Sequence, residues 1–125
     1  MINQLFWDFD GTLFDTYPKM VAAFMQALSD LGIDDVEIDE HQIYKTMRQH
    51  DVGTAIRKFS AFYGLKEASL GKLNRQYQTK MVADALPFPG VKEVLSLVSG
   101  MDGRNFLLTH RDNQAKGMLD QFGLL

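Results

Sequence analysis

Apolar and polar positions change period several times along this chain, and each change marks an element. Residues 3–8 (NQLFWD) form a short apolar run with Leu5 and Trp7 on one side and Phe6 on the other. That pattern predicts a strand buried on both faces, as in a parallel sheet. Thr16 opens a helical repeat: Pro18 falls in its first turn, and Met20, Val21, Phe24, Met25 and Leu28 recur at helical spacing until Leu31 and Gly32 close it. Asp34 and Asp35 sit in a loop, and further helices are predicted at about 39–47, 54–63 and 69–84, the middle one stopped by Gly64. The stripe Ile56, Phe59, Phe62 and Tyr63 reads as the core of this helical block. No strand pattern interrupts residues 17–86.

The pattern changes again at LPFPGVKEVLSLV, residues 86–98. Two prolines and Gly90 mark a linker, and Val91, Val94, Leu95 and Val98 make the apolar face of a new helix. Residues 105–109 (NFLLT) read as a second buried strand, His110 to Asp112 as a loop, and Asp112 or Asn113 as the cap of a last helix ended by Gly123. The order is strand, helical block, linker, helix, strand, helix. Two strands joined by a helical crossover pair in parallel and make a right-handed α/β unit. The helical block then lies like a lid inserted at the first strand's carboxyl end, where open α/β sheets place their sites. The expected division is a sheet unit of residues 1–16 and 87–125 and a helical unit of residues 17–86.

Composition narrows this picture. A chain of 125 residues, 46% hydrophobic, is one ordinary domain or one domain with an insertion, long enough to bury a core without disulfides. A net charge of −3 argues against a protein built to bind nucleic acid. There is no run of 18 apolar residues and no signal peptide, so no membrane partner is expected. The absence of cysteine excludes a thiolate metal site and fits a cytoplasmic protein. His41, His50 and His110 lack metal-ligand spacing.

The chemistry sits in LFWDFDGTLFDT, residues 5–16. Residues i and i+2 of an extended segment point to one side, so Asp8 and Asp10 can share a small volume at the strand's mouth. Gly11 lets the chain turn sharply there without a Cβ penalty. Two neighbouring carboxylates repel, and the arrangement makes sense when one stays ionised and the other carries a proton. A bound Mg²⁺ would hold the first ionised, which supplies a nucleophile and a general acid together. A turn needs only one such Asp, and DxDGT arises by chance in roughly one chain in a thousand of this length.

DFDGTLFDT resembles the first signature of the haloacid dehalogenase-like superfamily of phosphohydrolases, and PFPGVKEVL and NFLLTH resemble its next landmarks in order. The helical block is similar to the helical cap of the phosphoglycolate phosphatase and β-phosphoglucomutase branch. The resemblance implies a Rossmann-like α/β parallel-sheet core, of which the first part is present, with an inserted all-helical cap. It also implies that Asp8 is the nucleophile forming an aspartyl phosphate and that Asp10 is the acid that protonates the leaving oxygen and later activates water. The Asp8 side chain and the Asp10 main-chain carbonyl would ligate Mg²⁺. Thr109 would hold a phosphoryl oxygen, helped by backbone N–H groups of Phe9, Asp10 and His110; the family often has Asn where His110 stands. Arg48, Gln49 and His50, in the loop TMRQHDVGT (46–54), are candidates to meet the organic half of the substrate, and His110 or Arg111 is a further candidate contact.

The family's lysine and its further magnesium-binding acids are not found. After Thr109 the acids are Asp112 and Asp120, and Lys116, read as a helix-surface residue, comes too early. The chain therefore reads as the front of a longer enzyme. The expected activity of the complete protein is Mg²⁺-dependent hydrolysis of small phosphorylated metabolites. A phosphomutase on the same scaffold is the nearest rival, and an inactive phosphate-binding module is another for this 125-residue form. A phospho-accepting receiver domain is rejected, because Asp51 sits in helical sequence. With one strand edge bare, the 125-residue form is expected to self-associate through that edge or to be less stable than a longer version, and to lack activity.

Overall fold

The structure, a computed structural model, describes residues 4–100, 104–108 and 113–124. Strand β1 spans Gln4–Asp8 and strand β2 spans Arg104–Leu108; they pair in parallel, with Gln4 opposite Arg104 and Asp8 opposite Leu108. Among the described residues β1 has β2 as its strand partner. Helix α5 (Val91–Gly100) packs on β2, and α6 (Asn113–Gln121) follows. One polar network ties these elements together. The Trp7 indole N–H donates to Asn105 Oδ1 at 2.9 Å, and Asn105 Nδ2 donates to the Leu95 carbonyl at 3.0 Å.

Burial along β1 alternates, and this corrects the sequence reading. Leu5 and Trp7 are half-buried, but Phe6 on the opposite face is 60% exposed. An apolar residue marks a strand but does not guarantee a cover for its face, and in this two-stranded sheet only one face is covered among the described residues. The same distinction applies on α5. Leu95 is buried and Val91 and Val98 half-buried, whereas Val94, expected on the inner face, is exposed.

The chain divides into two compact units, Met1–Thr16 with Ala85–Leu125, and Tyr17–Asp84. The second boundary falls two residues before the sequence expectation, because Leu86 is hydrogen-bonded to Asp15. The second unit is all helical: α1 (Tyr17–Asp30), a 3-10 turn at Asp35–Glu37 where a loop was expected, α2 (Glu40–Gln49), α3 (Val52–Tyr63) and α4 (Glu67–Val82). Helix α1 buries Met20, Val21, Ala23, Phe24, Ala27 and Leu28, a stripe at helical spacing that packs chiefly on α4 and α2. Phe24 meets Phe59 of α3 edge-on, with ring centroids 5.7 Å apart. Phe62, assigned to the same core by spacing, is instead 76% exposed.

The expected loop at 46–54 is largely helix. Residues 46–49 are the last turn of α2 and 52–54 the first turn of α3, leaving His50 and Asp51 as the connection. Asp51 caps α3 by accepting the Thr54 N–H at 2.6 Å. Hydrogen bonds from the Thr54 hydroxyl and backbone N–H hold the Asp51 carboxyl below its usual value. A lowered folded value means that the cap's stabilisation is fully present above the unfolded value, about pH 4, and fades as pH falls through the folded one. Asp51→Ala is accordingly expected to lower the urea midpoint of the chain at pH 7. It should also reduce the loss of stability on acidification below about pH 4. An unchanged midpoint and an unchanged acid limb would remove Asp51 from this role.

Candidate active site

The main chain turns back on itself immediately after β1. The Phe9 carbonyl accepts the N–H groups of Leu13 and Phe14, both at 3.1 Å, and Gly11 N–H donates to the Phe14 carbonyl at 2.8 Å. Gly11 has φ 72°, a conformation that side chains with a Cβ rarely adopt, so this tight turn depends on glycine. Phe9 is fully buried and stacks on Phe14 with centroids 4.7 Å apart; Phe14 in turn meets Phe122 edge-on at 5.7 Å. Asp8 and Asp10 flank Phe9, the first exposed and the second half-buried.

The segment after the turn is clamped by residues 86–88. Asp15 N–H donates to the Leu86 carbonyl at 2.9 Å, and Phe88 N–H donates to the Leu13 carbonyl at 3.0 Å. Phe14 faces Pro87 in the antiparallel bridge between those two bonds. That position needs no donor from residue 87, so proline, which has no N–H, fits there. The stretch that reads as a linker is thus also the segment that holds the acidic turn.

Thr16 closes the arrangement. It is fully buried, and its hydroxyl donates to Asp10 Oδ1 at 2.7 Å. Sequence reasoning took Thr16 only as the opening of a helix. A hydroxyl six residues beyond Asp10 reaches the carboxylate only because the intervening turn folds back. The bridge between residues 10 and 14 uses the backbone groups of Phe9, Gly11 and Phe14.

The other expected site residues divide into two groups. Thr109, His110 and Arg111 lie outside the described residues, as does Asp112. Arg48 and His50 belong to the helical unit. The Arg48 guanidinium lies over the Tyr17 ring, 5.0 Å from its centroid, and His50, exposed, ends α2 by donating its N–H to the Thr46 carbonyl at 3.0 Å. Asp51, the carboxylate a receiver domain would have needed on a strand, is a helix cap. Among the described residues no cluster of three or more His, Cys, Asp or Glu forms a metal cage, and no helix is long and apolar enough to cross a membrane.

The haloacid dehalogenase-like hydrolase family model matches residues 5–125. The chain belongs to that family. It is 34% identical over 99 residues to a phosphoglycolate phosphatase from Synechococcus elongatus, an alignment covering 76% of this chain and 43% of that protein. A haloacid dehalogenase-like family hydrolase from Streptococcus pneumoniae superposes with a TM-score of 0.79 at 20% identity, over 98% of this chain and 57% of the other. A second hydrolase from Streptococcus pneumoniae TIGR4 gives 0.65 at 25% identity, over 98% and 62%. The chain thus spans less than half of the curated relative and under two thirds of either solved structure. The fold is the haloacid dehalogenase-like parallel-sheet core, its first part present here, with an inserted helical cap.

Proposed function

We propose that the whole protein hydrolyses small phosphate monoesters through a covalent phosphoryl-aspartate at Asp8. One observation carries the reading: in the tight turn after β1 the buried Thr16 hydroxyl donates to the carboxylate of Asp10, two residues beyond Asp8.

In this scheme an Asp8 carboxylate oxygen attacks phosphorus and the ester P–O bond breaks. The leaving oxygen takes its proton from the Asp10 carboxyl. Asp10, now ionised, removes a proton from water as that water attacks the phosphorylated Asp8. The P–O bond to Asp8 breaks, inorganic phosphate leaves, and Asp8 returns as a carboxylate. Thr16 holds Asp10 in one rotamer through both steps.

The donors present suit a hard cation. The Asp8 carboxylate and the Asp10 main-chain carbonyl offer oxygen only. Mg²⁺ is typically held by one or two carboxylates with waters completing its shell. When bound it would screen the charge between Asp8 and an incoming phosphoryl group. The resemblance to phosphoglycolate phosphatase places a short phosphorylated carboxylic acid among the first substrates to test.

Thr16→Val tests the positioning role. It keeps the shape and removes the donor, so kcat should fall about tenfold with KM little changed, and Thr16→Ser should restore most of it. Equal activity in the Val variant, or no recovery with Ser, would make Thr16 a packing residue only. Arg48 and His50 are assigned to ester preference. Arg48→Ala or His50→Ala should change the ranking of esters while leaving hydrolysis of a small aryl phosphate within a fewfold. Uniform losses on all substrates would reassign Arg48 to the stacking on Tyr17 that it makes within the helical unit.

A further inference from the structure

The helical unit carries a second concavity of about 440 Å³, between α3 and α4, lined by Gly53, Ile56 and Arg57 on one side and Glu67, Gly71, Lys72 and Arg75 among those on the other. Three cations and one carboxylate line it, on a chain whose net charge is −3. Among the described residues none of the three cations is in an ion pair. Lys72 and Arg75 stand one helical turn apart, where like charges repel and weaken a helix. Arg57 is held by donating from Nη2 to Thr54 Oγ1 at 3.2 Å, so its fork is fixed before anything binds. Asp51 is a further acid beside Arg57: its Oδ1 and Arg57 Nη1 each lie 3.5 Å from where a Cβ on Gly53 would stand, and the two charges attract.

Gly71 is the more telling glycine. It lies in the second turn of α4, inside the helix, where glycine weakens it relative to alanine. Close packing does not demand it, because a Cβ there would meet only Ile56 Cδ1, at an ordinary 3.8 Å. What its missing side chain leaves is space in the cavity. Three lining cations against one lining carboxylate, and a helix-weakening glycine, each have a cost, and one occupant explains both.

We propose that this cavity is an anion-binding site, separate from Asp8 and Asp10, for a small ligand carrying more than one phosphoryl group. Its volume lies in the range of metabolite pockets, larger than a single phosphate needs. The two guanidinium groups supply paired donors for phosphoryl oxygens and Lys72 a third positive charge. Inorganic polyphosphate and a bisphosphorylated metabolite share this chemistry.

The test is a titration of the whole protein, carrying Asp8→Asn to prevent turnover, with inorganic tripolyphosphate and separately with a hexose bisphosphate. Backbone amide resonances of Gly53 and Gly71 are followed by NMR. Saturable shifts at both are expected with one or both ligands, and the tighter one identifies the source. Arg57→Gln combined with Arg75→Gln should weaken binding at least about tenfold. Gly71→Leu keeps every cation and fills the space, and should cause a similar loss while leaving the helix intact. It keeps the proposal testable if the double variant does not fold. Non-saturating shifts, shifts that bypass Gly53 and Gly71, or undiminished binding by Gly71→Leu would each overturn the site.

Discussion

Asp8→Asn is expected to lower phosphatase turnover of the whole protein by on the order of 10⁴-fold or more. The amide keeps the shape of the carboxylate and loses the charge and the nucleophilic oxygen, so no acyl phosphate forms. The fold should tolerate the change. Asp8 is exposed at the end of β1, and the register with Leu108 is a backbone pairing. A steady-state assay with an aryl phosphate, alongside a circular dichroism spectrum and thermal melt, separates chemistry from unfolding. A variant that keeps more than about a tenth of the wild-type rate would remove Asp8 from the nucleophile's role.

Asp10→Asn carries the second large effect, and its signature differs. Turnover of an alkyl phosphate should fall by about 10²- to 10⁴-fold, the usual contribution of general acid–base catalysis. With an aryl phosphate the leaving group departs without a proton, so the first step should be much less impaired than the second. Phosphorylated Asp8 then accumulates, visible as a burst of phenol followed by slow turnover. Phosphate binding should survive, because the metal-facing group assigned to residue 10 is its main-chain carbonyl. The Thr16 hydroxyl can still donate to the amide oxygen of an Asn at this position, so the turn itself should hold. A loss equal on alkyl and aryl esters, with no burst, would contradict the assignment of Asp10.

Much of this was legible in the sequence, for reasons that differ from residue to residue. The parallel pairing of β1 and β2 followed from a helical crossover between two apolar runs. The ends of α1 and α3 followed from Gly32 and Gly64, both of which adopt positive φ. Phe6, Phe62 and Val94 were misplaced because hydrophobicity reports what a residue prefers, and burial depends on which neighbour covers it. The connection between α2 and α3 was drawn too long because Val52, Gly53 and Thr54 are poor helix formers; the cap supplied by Asp51 outweighs their propensity. At the candidate site, the turn after Asp8 and Asp10 was readable because Gly11 supplies the positive φ that a sharp reversal behind an apolar strand requires. Thr16 and the clamp at residues 86–88 were not, since both depend on a fold-back that brings residues together across the turn or across a long helical insertion.

The central claim is that phosphorus is transferred to Asp8, and trapping that species tests it most directly. The whole protein carrying Asp10→Asn is mixed with an aryl phosphate in Mg²⁺, quenched in acid within the burst, digested and read by tandem mass spectrometry. The account predicts one added phosphoryl group on the peptide containing residues 5–16, located at Asp8, and its disappearance when Asp8→Asn is added. A phosphoryl group on any other residue, or a full burst of product with unmodified Asp8, would contradict it.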